Sequence, residues 1–293
     1  MLFDKSALEG KRILVTGGGT GLGKNMSEAL LRHGATVYIS GRREEVLQQA
    51  VEELDAVAPG KIKSRVNDIR DPDAVEQMVA SIWEEGPLTG LINNAGANFI
   101  APTKTISPRA YRAICTTIQD GSFYATTSIG KRWLAEGLPG SVVSNLVTWV
   151  WTGSAYVVPA TMAKTAVHAM TMSLAVEWGP AGIRVNAMAP GPFPTDGAWD
   201  KLDPTGKGIG ATDSTSVPLR RFGQMEELQN LVTFLMSDGC NYLTGQTIAI
   251  DGAHHLAGHN TFAGLSSLSD QDWVDAREAI KASVEKEKQQ RSV

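Results

Sequence analysis

The chain has 293 residues, of which 42% are hydrophobic and 20% are charged, a composition that is ordinary for a folded globular protein. The net charge of −4 argues against a general nucleic-acid binder, because such a protein needs clustered positive charge. The two cysteines give neither a disulfide framework nor metal-ligand spacing, and no apolar run approaches a membrane span, so we expect a cytoplasmic protein with no metal and no membrane contact.

Short β-branched runs alternate with longer amphipathic stretches along the chain. The predicted strands cover residues 12–15, 36–39, 61–66, 91–92, 141–147, 183–188 and 247–250. Helices are predicted near residues 22–33, 44–57, 160–178 and 225–236. This alternation implies right-handed crossovers and therefore an α/β fold, a Rossmann-like doubly wound parallel sheet of about seven strands with helices on both faces.

Two segments depart from the alternating pattern. Residues 192–217 carry four glycines and three prolines, a composition that predicts a mobile loop. After Gly252 a polar stretch leads to a charged helix, which we expect to begin at an N-cap formed by Ser269 and to end near Glu287. The predicted organisation is a domain at 1–253 that includes the loop, followed by a C-terminal extension at 254–293.

Glycines cluster in the turn between the first strand and the first helix. Glycine permits positive φ angles, and it lets a pyrophosphate approach the N–H groups of a helix N-terminus. The spacing is Gly-x-x-x-Gly-x-Gly, and the strand–turn–helix context favours a dinucleotide site over a turn without a ligand. The residues expected to contact this cofactor are Gly17, Thr20, Gly21, Leu22 and Gly23.

A nucleoside-triphosphate P-loop is the rival interpretation, because Gly18 to Gly23 followed by Lys24 matches Gly-x-x-x-x-Gly-Lys. The next residue of a P-loop must be Ser or Thr, since its hydroxyl holds Mg²⁺. Asn25 occupies that position and has no hydroxyl. A P-loop protein would bind ATP with Mg²⁺, whereas a nicotinamide-dependent reductase would bind NADPH without metal.

Four further stretches resemble motifs of the short-chain dehydrogenase/reductase superfamily. They are Asn93-Asn94-Ala95-Gly96, Lys164 in the long helix, the stretch from Arg184-Val185-Asn186 to Pro190-Gly191, and Asp251-Gly252 after the last strand. The resemblance covers about Leu8 to Gly252 and implies a nicotinamide-dependent oxidoreductase. It assigns the cofactor contacts Asn94, Ala95, Gly96, Lys164, Pro190, Gly191, Phe193 and Thr195.

Within the superfamily the chain resembles the 2,4-dienoyl-CoA reductase group. This similarity is carried by residues 98–103, 157–159, 190–192, 197–199 and 202–206 and by Trp273. It implies a small-molecule substrate, here an acyl thioester, and a homotetramer. The substrate residues that follow from it are Asn98, Phe99, Trp149, Tyr156 and Trp199, with Asn98 orienting the substrate carbonyl.

The residue that donates the proton is left open by the sequence. The family places its catalytic tyrosine four residues before the lysine, and the dienoyl-CoA group places it fifteen residues before, but those positions hold Ala160 and Trp149. Indole is no practical proton donor. Three interpretations remain: Tyr156 donates the proton, a water held by Lys164 and Asn98 delivers it, or the chain binds cofactor without turnover.

The end of the second strand indicates which nicotinamide cofactor is used. An NAD enzyme usually holds the ribose 2′-hydroxyl with an acidic residue there. This chain has Ser40-Gly41-Arg42-Arg43 instead, and arginines bind a 2′-phosphate, so we predict NADP(H). Asp68-Ile69 after the third strand resembles the family's adenine contact.

Two other functions stay open beside the reduction of a conjugated acyl group by NADPH. One is a ketoreductase or alcohol dehydrogenase of changed substrate. The other is a catalytically weakened NADP(H)-binding sensor or scaffold, since both expected tyrosines are missing.

Overall fold

The computed structural model describes residues 3–195, 214–258, 265 and 268–279. The chain divides into two compact units, residues 1–255 and residues 256–293. In the second unit residues 270–279 are helical, and the predicted N-cap is confirmed, because the N–H of Asp272 donates to Ser269 Oγ at 3.2 Å. The predicted continuation of this helix to Glu287 and residues 196–213 of the predicted loop lie outside the described residues.

The first unit is built on a parallel sheet of seven strands, as the alternating pattern predicts. The strand order is β3-β2-β1-β4-β5-β6-β7, and every neighbouring pair is parallel. The strands are β1 (Arg12–Thr16), β2 (Thr36–Gly41), β3 (Ile62–Val66), β4 (Gly90–Asn93), β5 (Gly140–Asn145), β6 (Ile183–Pro190) and β7 (Thr247–Ile250).

Helices connect these strands and cover both faces of the sheet. They are α1 (Gly21–Arg32), α2 (Glu44–Asp55), α3 (Pro72–Glu84), α4 (Pro108–Cys115), α5 (Gly121–Glu136), α6 (Trp149–Thr152), α7 (Val158–Trp178), α8 (Met225–Met236) and α9 (His254–Ala257). A π-helical turn, Thr116–Asp120, joins α4 to α5. Local sequence sets where helices begin: Asp71 caps α3 by accepting from the N–H groups of Asp73 and Ala74, and Pro72 needs no such partner.

Two hydrophobic cores lie on the two sides of the sheet. Successive side chains of a strand point to opposite faces, so Ile13 and Val15 of β1 join one core and Leu14 joins the other. Helices α1, α2 and α8 cover the first core, while α3 and α5 cover the second. Because the sheet is buried on both faces, the sequences of its central strands are continuously apolar and do not alternate with polar residues.

The predicted bounds of two neighbouring strands were wrong at the carboxyl edge. β5 ends at Asn145 rather than at 147, and β6 continues two residues beyond Met188, to Pro190. The chain leaves β5 because residues 146–148 turn away to line a cavity and lead directly into the short helix α6. The apolar residues Leu146 and Val147 therefore line the cavity and are not part of the strand.

Candidate active site

The glycine turn between β1 and α1 has no space for side chains. Gly17 and Gly21 have φ angles of +65° and +54°, which disfavour L side chains. A Cβ at Gly23 would lie 2.4 Å from Asn94 Nδ2 and 2.4 Å from the carbonyl oxygen of Gly17. The turn therefore packs directly against the Asn94 segment, and its backbone stays open to a ligand.

Thr16 joins this turn to the segment that follows β4. Its hydroxyl oxygen accepts hydrogen bonds from the N–H groups of Asn94 and Ala95, each at 3.0 Å. In return Asn94 Nδ2 donates to the carbonyl oxygens of Thr16 and Gly17 at 3.0 and 3.1 Å. Asn145 Nδ2 donates to Asn94 Oδ1 at 2.9 Å, which ties the end of β5 to the same network.

A cavity of about 490 Å³ opens at the carboxyl edge of the sheet beside this network. Its wall contains the predicted cofactor residues Gly17, Thr20, Gly21, Leu22, Gly23, Asn94, Ala95, Gly96, Lys164, Pro190, Gly191, Phe193 and Thr195. The predicted substrate residues Asn98 and Trp149 lie on the same wall, with Ala160 and Ile118. The cavity thus brings together the segments that follow β1, β4, β5 and β6 with parts of α7 and of the π-helical turn.

A second hollow continues from this cavity along the end of β2. It shares Gly17, Thr20, Ala95 and Gly96 with the cavity, so the two form one continuous path. Its other predicted cofactor residues are Ser40, Arg42, Arg43, Asp68 and Ile69. We call residues 16–23, 40–43, 67–69 and 93–96 the nucleotide wall, and residues 97–98, 146–149, 160 and 254 the substrate wall.

Positively charged side chains predominate in the second hollow, at the end of β2. Arg70 Nε donates to Asp68 Oδ1 at 2.9 Å, and this bond holds the pKa of the Asp68 carboxyl below its usual range, with a smaller contribution from the charge of Arg42. Arg42 and Arg43 are exposed and have no ion pair within the described part of the chain. Their guanidinium groups therefore stay available to an anionic ligand.

Lys164 lies between the two walls, in the first two turns of α7. Its Nζ donates to the carbonyl oxygen of Asn145, the residue that also holds Asn94. Burial lowers the pKa of the Lys164 ammonium to about 8, because desolvation disfavours the charged form. The buried neighbours Ala163 and Val167 fix this part of the helix in the core.

Not every predicted substrate residue reaches the cavity. The side chain of Tyr156 is 59% exposed, its φ is +65°, and it is absent from the wall. Phe99 is also absent, because it packs against the buried cluster that contains Ile114 and Ile118. Trp199 lies outside the described residues. The geometry does not support the predicted role of Tyr156 as proton donor.

The sequence reasoning missed several residues of the site, among them Thr16, Asn145, Thr148 and His254. Thr16 and Asn145 are the last residues of β1 and β5, where polar side chains after an apolar run are a usable signal. Thr148 is 4% exposed and lines the cavity. His254 lines it from the turn after β7, a location that no local pattern marks.

The described residues contain no group of three or more metal-ligating side chains and no helix that is long and apolar enough to cross a membrane.

Comparison with known proteins agrees with this architecture. The family model described as Enoyl-(Acyl carrier protein) reductase matches residues 17–255. A Caenorhabditis elegans protein named probable 2,4-dienoyl-CoA reductase decr-1.2, (3E)-enoyl-CoA-producing, is 37% identical over 287 residues, which cover 96% of this chain and 93% of that protein.

Two bacterial proteins extend the comparison. A Bacillus subtilis (strain 168) protein named probable 2,4-dienoyl-CoA reductase, (2E)-enoyl-CoA-producing, is 34% identical and is covered over 98% of its length and 85% of this chain. The crystal structure of a short chain dehydrogenase from Bacillus anthracis superposes with a TM-score of 0.77 at 35% identity, covering 86% of this chain and 98% of that one.

Proposed function

The chain belongs to the short-chain dehydrogenase/reductase superfamily, and on that premise we propose that it reduces a conjugated acyl thioester, such as a 2,4-dienoyl-CoA, with NADPH. One observation carries the proposal: Lys164 and Asn98 line a single cavity that continues along the nucleotide wall to Arg42. A dinucleotide bound along that path would bring its nicotinamide end to Lys164. The names of the relatives from C. elegans and B. subtilis support the substrate class.

The nucleotide wall fits NADP(H) in two respects. The absence of a side chain at Gly21, where a Cβ would meet almost open space, leaves the backbone at the start of α1 accessible, and the helix dipole there favours a pyrophosphate. Arg42 lies in the adjoining hollow without an ion pair among the described residues, and a guanidinium forms paired hydrogen bonds to a phosphate. We therefore assign Arg42, with Arg43, to the 2′-phosphate.

Asn98 of the substrate wall and Lys164, which lies between the walls, act on the substrate in this proposal. When bound, the nicotinamide ring supplies the hydride. The side-chain amide of Asn98 donates a hydrogen bond to the carbonyl oxygen, which carries more negative charge after hydride transfer and therefore bonds more strongly. The Lys164 ammonium adds positive charge at the same cavity and holds the ribose.

The test is NADPH oxidation with 2,4-hexadienoyl-CoA, followed by absorbance, in the wild type and in Trp149→Tyr. We expect turnover in the wild type and a faster reaction in the variant, because a phenol at this wall position supplies a second hydrogen bond and a proton route. Trp83→Tyr is the matched control, since Trp83 on α3 donates to Glu136 and is not among the residues that line the cavity.

Two outcomes would replace the proposal. Reduction of a simple ketone or enone, without activity on the dienoyl-CoA in either form, would make the protein a ketoreductase. Tight NADPH binding without turnover of any of these substrates would make it a nucleotide-binding sensor or scaffold.

We also propose a cytoplasmic homotetramer. The location is supported by Cys115 and Cys240, which are free and buried. Assembly is supported by apolar side chains exposed on α5 and α7: Phe123 at 51%, Met162 at 51%, Met172 at 45% and Val176 at 80%. Burial of such side chains against a second copy would stabilise the assembly.

A further inference from the structure

The proposed reduction needs a proton, and the cavity offers few groups that can supply it. Trp149 and Ala160 stand on the wall where tyrosines were expected, and Tyr156 lies outside it. Among the described lining residues, the only ionisable side chains are Lys164 and His254. Lys164 is already bonded to the carbonyl oxygen of Asn145.

The turn after β7 fixes the position of His254. Gly252 and Ala253 both have left-handed φ angles, +61° and +67°, which reverse the chain direction after the strand. Asp251 holds the reversed chain: its Oδ1 accepts from the N–H of Ala253 at 3.0 Å, and its Oδ2 accepts from the N–H of His255 at 2.8 Å. An alanine in this left-handed region is strained and persists only where its surroundings determine its conformation.

Helix α6 packs against the same turn. The rings of Trp151 and His255 lie 5.1 Å apart between centroids, at an interplanar angle of 32°. His255 Nδ1 is 2.7 Å from Asp251 Oδ2, so this imidazole is held on both sides. Their sequence neighbours Trp149 and His254 line the cavity instead. Trp151 and His255 therefore hold α6 against the turn, while Trp149 and His254 line the cavity.

We propose that His254 is the proton donor of the reduction, in place of the absent tyrosines; this inference rests on the proposed function. After the hydride has added to the conjugated substrate, the resulting dienolate takes a proton from the His254 imidazolium. A new bond to hydrogen forms on the substrate, an N–H bond of the imidazolium breaks, and neutral imidazole remains. Solvent then restores the proton, because His254 is only half-buried.

Charged groups on the elements packed around His254 are compatible with this role. They are Asp251 and His255 on its own turn, Lys164 on α7 and Arg220 on the segment that packs over Gly252. Asp251 is engaged by its own turn and by His255, and Arg220 donates to the carbonyl oxygen of Thr215. His254 Nε2 lies 3.3 Å from Ser216 Oγ, a contact that orients the ring.

The test compares His254→Gln with His33→Gln. We expect kcat with 2,4-hexadienoyl-CoA to fall about 10²-fold or more in His254→Gln, since general acids contribute about 10²–10⁴-fold. NADPH affinity, measured by fluorescence titration without substrate, should stay within about twofold, because His254 belongs to the substrate wall. The His33→Gln control, at the end of α1 and not among the residues that line the cavity, should keep kcat within about twofold of the wild type.

Chemical rescue and the pH profile distinguish a proton-donating role of His254 from a merely structural one. Imidazole added to His254→Ala should restore part of kcat, and the same addition to Lys164→Ala should not. The pH profile of kcat should differ between the wild type and His254→Gln, because the variant lacks the acid that the proposal places on the substrate wall.

Each outcome decides between the proposals. A His254→Gln enzyme with near-normal kcat and an unchanged pH profile, or the absence of rescue by imidazole, overturns the role of His254 while the proposed function stands. Absence of turnover in the wild type with dienoyl-CoA, enone and ketone substrates overturns the proposed function, and the inference falls with it.

Discussion

The nucleotide wall and the substrate wall of the cavity are held in different ways. The nucleotide wall is fixed by backbone groups and glycines, as in the contact of Gly23 with Asn94 and in the bonds of Thr16 to Asn94 and Ala95. The substrate wall consists of side chains on short segments, such as Trp149 on the four-residue helix α6 and His254 after β7. A site formed by closely packed backbone accepts few substitutions. Side chains on a short segment can be replaced while the rest of the fold is retained.

This difference explains why the two walls can change separately. The glycine spacing and the Asn94 segment keep the superfamily pattern, but the positions of the expected proton donors hold Trp149 and Ala160. We therefore expect variants of each wall to have distinct effects.

Lys164 lies between the two walls, and its loss should have the largest effect. Lys164→Ala should lower kcat about 10²–10⁴-fold, because it removes the ammonium from the cavity and the bond to Asn145. The fold should persist, which circular dichroism checks. The matched control is Lys131→Ala on the exposed face of α5, and near-normal kcat in the Lys164 variant would remove the lysine from the mechanism.

The pH profile sharpens this prediction. Burial lowers the pKa of Lys164 to about 8, so its ammonium is present below pH 8 and is lost as the pH rises through that value. We expect kcat of the wild type to fall above about pH 8. A profile that stays flat to pH 10 would show that turnover does not need the charge of Lys164.

Arg42 tests the nucleotide wall alone. Arg42→Ala should cost about 1.5–3 kcal/mol in NADPH binding and little in NADH binding, because only the 2′-phosphate forms charge-assisted bonds to the guanidinium. Fluorescence titration with both cofactors measures the difference. Arg32→Ala, which removes the partner of Glu28 away from the cavity, is the control, and an equal loss for both cofactors in Arg42→Ala would contradict the assignment.

Thr16 should give the smallest effect, and on stability rather than turnover. Thr16→Val leaves the buried N–H groups of Asn94 and Ala95 without their acceptor, at a cost of about 1–3 kcal/mol in the free energy of unfolding. Denaturant unfolding measures this cost. Thr16→Ser keeps the hydroxyl and should retain most of the stability; a larger loss in Thr16→Ser than in Thr16→Val would mean that packing of the methyl group dominates.

The sequence by itself determined the sheet and the family. Alternating strands and helices predicted the parallel sheet, and the glycine turn with the Asn94, Lys164 and Pro190-Gly191 motifs identified the superfamily, which the comparisons confirm. These features are readable because strand periodicity, helix periodicity and the φ angle of a glycine are local properties of the chain.

Only the tertiary structure decided which side chains share the cavity. It joined Lys164 to Asn145, set Trp151 against His255 and so placed His254 on the wall, and left Tyr156 exposed outside it. Such contacts join segments that are distant in the chain. They depend on how strands align in the sheet and on where short turns direct each side chain, which no local pattern of residues specifies.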